Sequence, residues 1–117
     1  MDNPNSEQGR ASRATQYLID SAQDIARAKA GLVKAENMLR VVKSLAMKHA
    51  QEKSAAAQER EAYASPQYLS AVNDLAAAAE EYEKLRSLRE AAKMQIEFWR
   101  SLNANQRSAE RGYGSAA

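Results

Sequence analysis

Leu18, Ile25, Leu32, Leu39 and Ala46 stand seven residues apart, and a second row three positions on reads Ser21, Ala28, Ala35, Val42, His49, Ala56 and Tyr63. Residues alternating at three and four positions line one face of an α-helix and form the a and d rows of a helix–helix seam, here large facing small. A strand, with its period of two, does not place both rows on one side. The pattern predicts one helix over about 13–63 that packs closely against another. It keeps its phase through Gly31, although a helical glycine costs about 1 kcal/mol relative to alanine, so any bend falls there.

Composition agrees with long helices. Ala, Glu, Lys, Leu and Arg fill 62 of 117 positions, 25 of them alanine. Only 17 residues are Leu, Ile, Val or Phe, which argues for a thin body, while a net charge of +2 is too small to drive disorder. The length suits one small domain and the fold class is all-α; a β-sandwich or a parallel α/β sheet is excluded.

The chain has two prolines, and the later one, Pro66, follows Ser65. Serine before proline reads as an N-cap followed by the first residue of a new helix. A turn is therefore expected near 64–65 and a second helix over about 66–107. Tyr68, Val72, Leu75, Ala79 and Tyr82 continue the seam, and Leu85, Leu88, Ala92, Ile96, Trp99 and Leu102 follow after a three-residue phase slip. The short turn predicts a long antiparallel, coiled-coil-like helical hairpin with Tyr63 and Tyr68 at the turn. Tyr17, Leu18 and Ile25 then approach Trp99 and Leu102 at the open end. Residues 1–12 read as a mobile polar leader and 108–117 as a mobile tail, so that residues 13–107 form the hairpin domain.

Several chemistries are absent. No cysteine is present for a thiolate nucleophile or a thiolate metal site. The single histidine, His49, falls on the seam as a half-buried residue, and no metal or cofactor is expected. No P-loop, GxGxxG, GxSxG or HExxH sequence occurs, and the expectation is a protein that is not an enzyme. No apolar run reaches the roughly 18 residues of a membrane span, and the first residues lack a secretory core. No membrane association and a cytoplasmic location are expected.

Both helices carry more apolar residues than one seam can hide. Ile19, Ala26 and Val33 form a third row, with Met38, Val41 and Leu45 nearby, and Leu69, Met94 and Phe98 lie off the second helix's seam. Repetition at helical spacing defines a face. Ile19, Val33, Met38, Val41, Leu45 and Phe98 are thus the candidate oligomer interface, and a homo-oligomeric helical bundle is the expected assembly.

Charge is segregated. Residues 27–53 and 84–111 are basic, whereas Glu59, Glu61, Asp74, Glu80, Glu81 and Glu83 face only Arg60 around the turn. Arg86, Lys93, Arg100 and Arg107 recur every seven residues, with Lys84 and Arg89 beside them. Such a row can track a phosphate backbone while Phe98, Trp99 or Tyr113 stacks on unpaired bases. Lys84, Arg86, Arg89, Lys93, Arg100 and Arg107 are therefore candidate contacts to single-stranded DNA. Glu83, Glu90 and Glu97 share the spacing of seven and offer the alternative of local ion pairs.

Two stretches, AQEREAYASPQY at 57–68 and LRSLREAAKMQIEFWRSLNANQR at 85–107, resemble a group of small helical proteins of bacteriophages and prophages, often encoded among replication and recombination genes. The resemblance covers roughly residues 30–108. It implies a phage-type accessory protein of DNA recombination or replication in the host cytoplasm, with single-stranded DNA or a recombination protein as partner. An inhibitor or adaptor of a host or phage enzyme is the alternative, and a virion assembly or scaffolding component the third.

Overall fold

The structure, a computed structural model, describes residues 6–116, and their side chains as far as residue 112. The described residues form four helices and no strand: α1 (Glu7–Asp20), α2 (Ala22–His49), α3 (Ala55–Tyr63) and α4 (Pro66–Ala116). They cluster into two compact units: α1 with α4 from Arg86 onward, and α2 and α3 with α4 as far as Leu85.

The span 13–63, read as one helix, is divided at Ser21 and again at 50–54. At Ser21 both the backbone N–H and the side-chain Oγ donate to the Tyr17 carbonyl, at 2.9 and 2.6 Å. A serine bonded back to the carbonyl four residues earlier bends a helix. Arg89 Nη1 reaches the same place from α4, donating to the Leu18 carbonyl and to Ser21 Oγ, each at 2.7 Å. The second division falls where the seam runs out of large residues. α3 restarts behind Ser54, whose Oγ accepts from the Ala57 N–H at 3.1 Å. Gly31 interrupts nothing, and α2 runs through it.

Both ends are more helical than the polarity of the sequence suggests. Ser6 caps α1 by accepting from the Gly9 N–H at 3.0 Å, and Gly9, Ala11 and Ala14 are buried. These alanines extend the seam rows backward by the same steps of three and four, so residues 7–12 of the expected leader are helix. Residues 1–5 and 117 lie outside the described residues, and α4 carries the expected tail on to Ala116. α4 starts at the expected Pro66: Ser65 Oγ donates to the Ala62 carbonyl at 2.7 Å and accepts from the Tyr68 N–H at 3.2 Å.

In the α2–α3–α4 unit, Ile25, Ala28, Leu32, Ala35, Leu39, Val42 and Ala46 are half-buried, as the rows require. His49, Ala56 and Tyr63 are exposed, because the helix they were to extend has ended or changed direction. Lys29 Nζ lies 5.1 Å from the Tyr82 ring centre and Lys43 Nζ 4.6 Å from that of Tyr63, which itself meets Tyr68 edge to face at 5.1 Å.

Along α4 the covered positions are Tyr68, Ala71, Leu75, Ala78 with the expected Ala79 beside it, Tyr82 and Leu85, then Arg89, Ala92, Ile96, Trp99 and Asn103. The alternation of three and four is unbroken and the expected phase slip does not occur. Val72, Leu88 and Leu102, assigned to the seam from hydrophobicity, are exposed, and their places are taken by Ala71, Arg89 and Asn103. In the unit holding α1, Tyr17 shares a groove with Leu88, Ala92 and Gln95, and Leu18 meets Arg89, not Trp99 and Leu102.

The core is made of small residues. Ala11, Ala14, Ala62, Ala71 and Ala92 are its buried apolar members, and among the described residues no large side chain is fully buried. Close packing of this type leaves no room for extra methylenes. Ala92→Leu is expected to lower unfolding free energy by about 1–3 kcal/mol, whereas Ala104→Leu on the exposed side changes it by less than about 0.5 kcal/mol. Thermal and urea unfolding followed by circular dichroism measure both.

Candidate functional site

The six candidate interface residues all lie at the surface: Ile19, Val33, Met38, Val41, Leu45 and Phe98 are each more than two-fifths exposed, Ile19 at 65% and Phe98 at 55%. Met94, at 71%, and Leu69, at 61%, join them. Leu88, absent from the candidate interface because it was placed in the seam, is exposed as well. Its neighbour Arg89 fills the seam position, so an apolar residue displaced by one position ends up outside.

Met38 helps to line one groove and Leu45 a smaller one. In the α2–α3–α4 unit a depression of about 630 Å³ runs between α2 and α4, with Ala35, Met38, Val42, Ala71 and Ala78 among its lining residues. Lys34 stands on its α2 lip and Asp74 on its α4 lip. A smaller depression of about 320 Å³, reaching Leu45, Ala46 and His49, shares Val42 and Gln67 with it. Gly31 also lines the larger groove, and a Cβ built there would meet nothing within 4 Å. No described contact inside the chain requires the glycine, although its cost in mid-helix is about 1 kcal/mol.

The basic row is divided in its employment. Arg89 is half-buried and holds the Leu18 carbonyl and Ser21, which removes it from the candidate DNA contacts as a free side chain. Lys93 pairs with Glu90 at 3.3 Å and Arg100 with Glu97 at 2.9 Å, both on the surface. Lys84, Arg86, Lys93, Arg100 and Arg107 are all exposed on α4. Trp99 is half-buried and packs in the seam, Phe98 is exposed, and the side chain of Tyr113 lies outside those described. Among the described residues no group of three or more His, Asp or Glu side chains gathers as metal ligands, and no helix is long and apolar enough to cross a membrane.

One polar cluster was not foreseen. Lys43 Nζ donates to Glu59 Oε1 at 2.8 Å while lying over the Tyr63 ring, and so fastens α3 to α2. The residues are sixteen apart, and only the turn back of the chain after 50–54 joins them. The hydrogen bond from Lys43, and then its charge, hold the Glu59 carboxyl below its ordinary value; the same bond, foremost among its causes, raises Lys43 above its own.

Comparison of the chain with protein-family models, with curated proteins and with solved structures gives no match.

Two outcomes are expected. Because Glu59 binds its proton more weakly in the folded chain, the clasp contributes above the ordinary carboxylate value of 4.5 and is lost as pH falls below it. The Lys43 contribution is complete below 10.5 and is lost only at higher pH, as the amine deprotonates. Amide protection factors in α3 should fall on acidification from pH 5 to pH 3, as order-of-magnitude limits about that carboxylate value, and Glu59→Gln should lower them at neutral pH and remove the acid step. Separately, Arg89→Met should destabilise the chain by about 1–3 kcal/mol through loss of hydrogen bonds from a charged donor, with Lys93→Met near neutral; chemical denaturation distinguishes them.

Proposed function

We propose that the chain is a non-enzymatic interaction module that works as a homo-oligomeric helical bundle, each chain folded back as an antiparallel hairpin, and docks a helical segment of a protein partner on its apolar faces. The observation that carries this reading is the imbalance of apolar surface. Among the described residues twelve large apolar side chains are exposed, from Ile19 to Leu102, while the buried apolar ones are all alanine. Apolar residues at helical spacing beside a groove suit helix-in-groove recognition. The likeness to phage and prophage proteins supports an accessory role in recombination or replication within the host cytoplasm. Its partner is then a recombination protein, or a host or phage enzyme that it adapts or inhibits; a virion assembly or scaffolding role would use the same faces.

The exposed row of Lys84, Arg86, Lys93, Arg100 and Arg107 along one continuous helix favours a second reading, contact with single-stranded DNA. Its Glu partners at Lys93 and Arg100 are surface ion pairs, which are weak and exchangeable for phosphate.

Light-scattering mass of the purified chain and affinity capture from infected cells test the first reading. A concentration-dependent oligomer is expected, with one stoichiometric protein partner whose capture is lost in Met94→Glu with Phe98→Glu; a monomer that captures no protein overturns the reading. Fluorescence anisotropy with a labelled single strand at about 50 mM salt, where phosphate contacts are strong, tests the second. Binding abolished by Arg86→Glu with Arg100→Glu supports it, and absence of binding by the unaltered chain eliminates it.

A further inference from the structure

We infer that the groove between α2 and α4 in the α2–α3–α4 unit is the face on which two copies of this chain pair, Lys34 of each copy meeting Asp74 of the other. The inference rests on the self-association proposed above and specifies where it occurs.

The groove is apolar along its floor and carries opposite charges on its two lips, Lys34 from α2 and Asp74 from α4. Among the described residues neither charge has an ion-pair partner. An occupant that satisfies both lips must present an acidic group to one and a basic group to the other, beside an apolar ridge. A second copy supplies all three. In a two-fold pair the same patch faces itself, so that a contact of residue i with residue j occurs twice. One operation therefore places both lysines against both aspartates. The charge layout agrees on the two flanking sides: Arg27, seven residues before Lys34, shares its side of α2, and Glu81, seven residues after Asp74, shares its side of α4.

The ridge and the hole are both present on one chain. Met38 and Leu45, 42% and 51% exposed, stand seven residues or about two turns apart on α2, Met38 lining the larger depression and Leu45 the smaller. Gly31 adds an independent sign. It weakens α2, its missing side chain makes room for nothing within the chain, and it opens onto this groove. A glycine at such a point permits a second backbone to come close.

Sedimentation equilibrium of the full chain over a range of concentrations provides the test. Lys34→Glu and Asp74→Lys should each weaken association by about tenfold or more, since each sets like charges opposite one another twice. The double variant, Lys34→Glu with Asp74→Lys, should restore it, because the pair is exchanged between copies. Gly31→Leu should weaken association while raising helical content, a combination that damage to the fold does not produce. An oligomer indifferent to all three substitutions overturns this face and leaves self-association standing. A chain that is monomeric at every concentration overturns both. Loss in each single charge variant without rescue in the double overturns the Lys34–Asp74 pairing.

Discussion

Close approach of helix backbones over alanine is the condition on which the rest of this structure depends. Among the described residues Ala11, Ala14 and Ala92 in one unit, and Ala62 and Ala71 in the other, are the apolar residues withdrawn from water. Where such small residues meet, dispersion contacts are made by backbone and Cβ atoms, and few methylenes are hidden. The larger neighbours Leu18, Ile25, Leu32 and Leu39 then flank the contact and remain only half-covered. A seam of this type holds helices near one another without forming a deep interior, and for the same reason leaves leucines, methionines and a phenylalanine facing solvent.

Much of this was legible in the sequence. The seven-residue rows from Leu18 to Ala46 identify the covered face of α2, and Ser65-Pro66 marks the start of α4, since a serine cap and a proline at the first helical position are local signals. The six interface candidates are exposed because a residue off the seam has no neighbour to cover it. What escaped was signalled by small or polar residues. Ala71, Arg89 and Asn103 hold seam positions that hydrophobicity assigns to Val72, Leu88 and Leu102, and counting apolar residues converts that substitution into a false phase slip. Ser6 and Ser54 are caps that stand in polar surroundings and were hidden by them. The clasp of Lys43 on Glu59 depends on a tertiary turn back of the chain, which no spacing along one helix announces.

Surface chemistry separates the two functional readings by what each side chain is already doing. Arg89 is spent on the fold, and Lys93 and Arg100 have carboxylates beside them, so a phosphate backbone would have to displace existing neighbours. The apolar residues have no such neighbours to displace. Desolvating them is favourable in proportion to area, about 25 cal/mol per Å² removed from water, and needs no exchange of partners. The faces of α2 and α4 are on that ground the better-prepared surface.

Arg89 has one more consequence. Ala11, Ala14 and Ala92 are so small that packing over them alone would let α1 and the facing stretch of α4 shift past one another into other alignments. The guanidinium finds the Leu18 carbonyl and the Ser21 hydroxyl together in only one of them. Elsewhere it would lie against methyl groups with its donors unmet, a penalty of several hydrogen bonds. A single cation among alanines thus acts as an indexing pin that selects one alignment from a degenerate set.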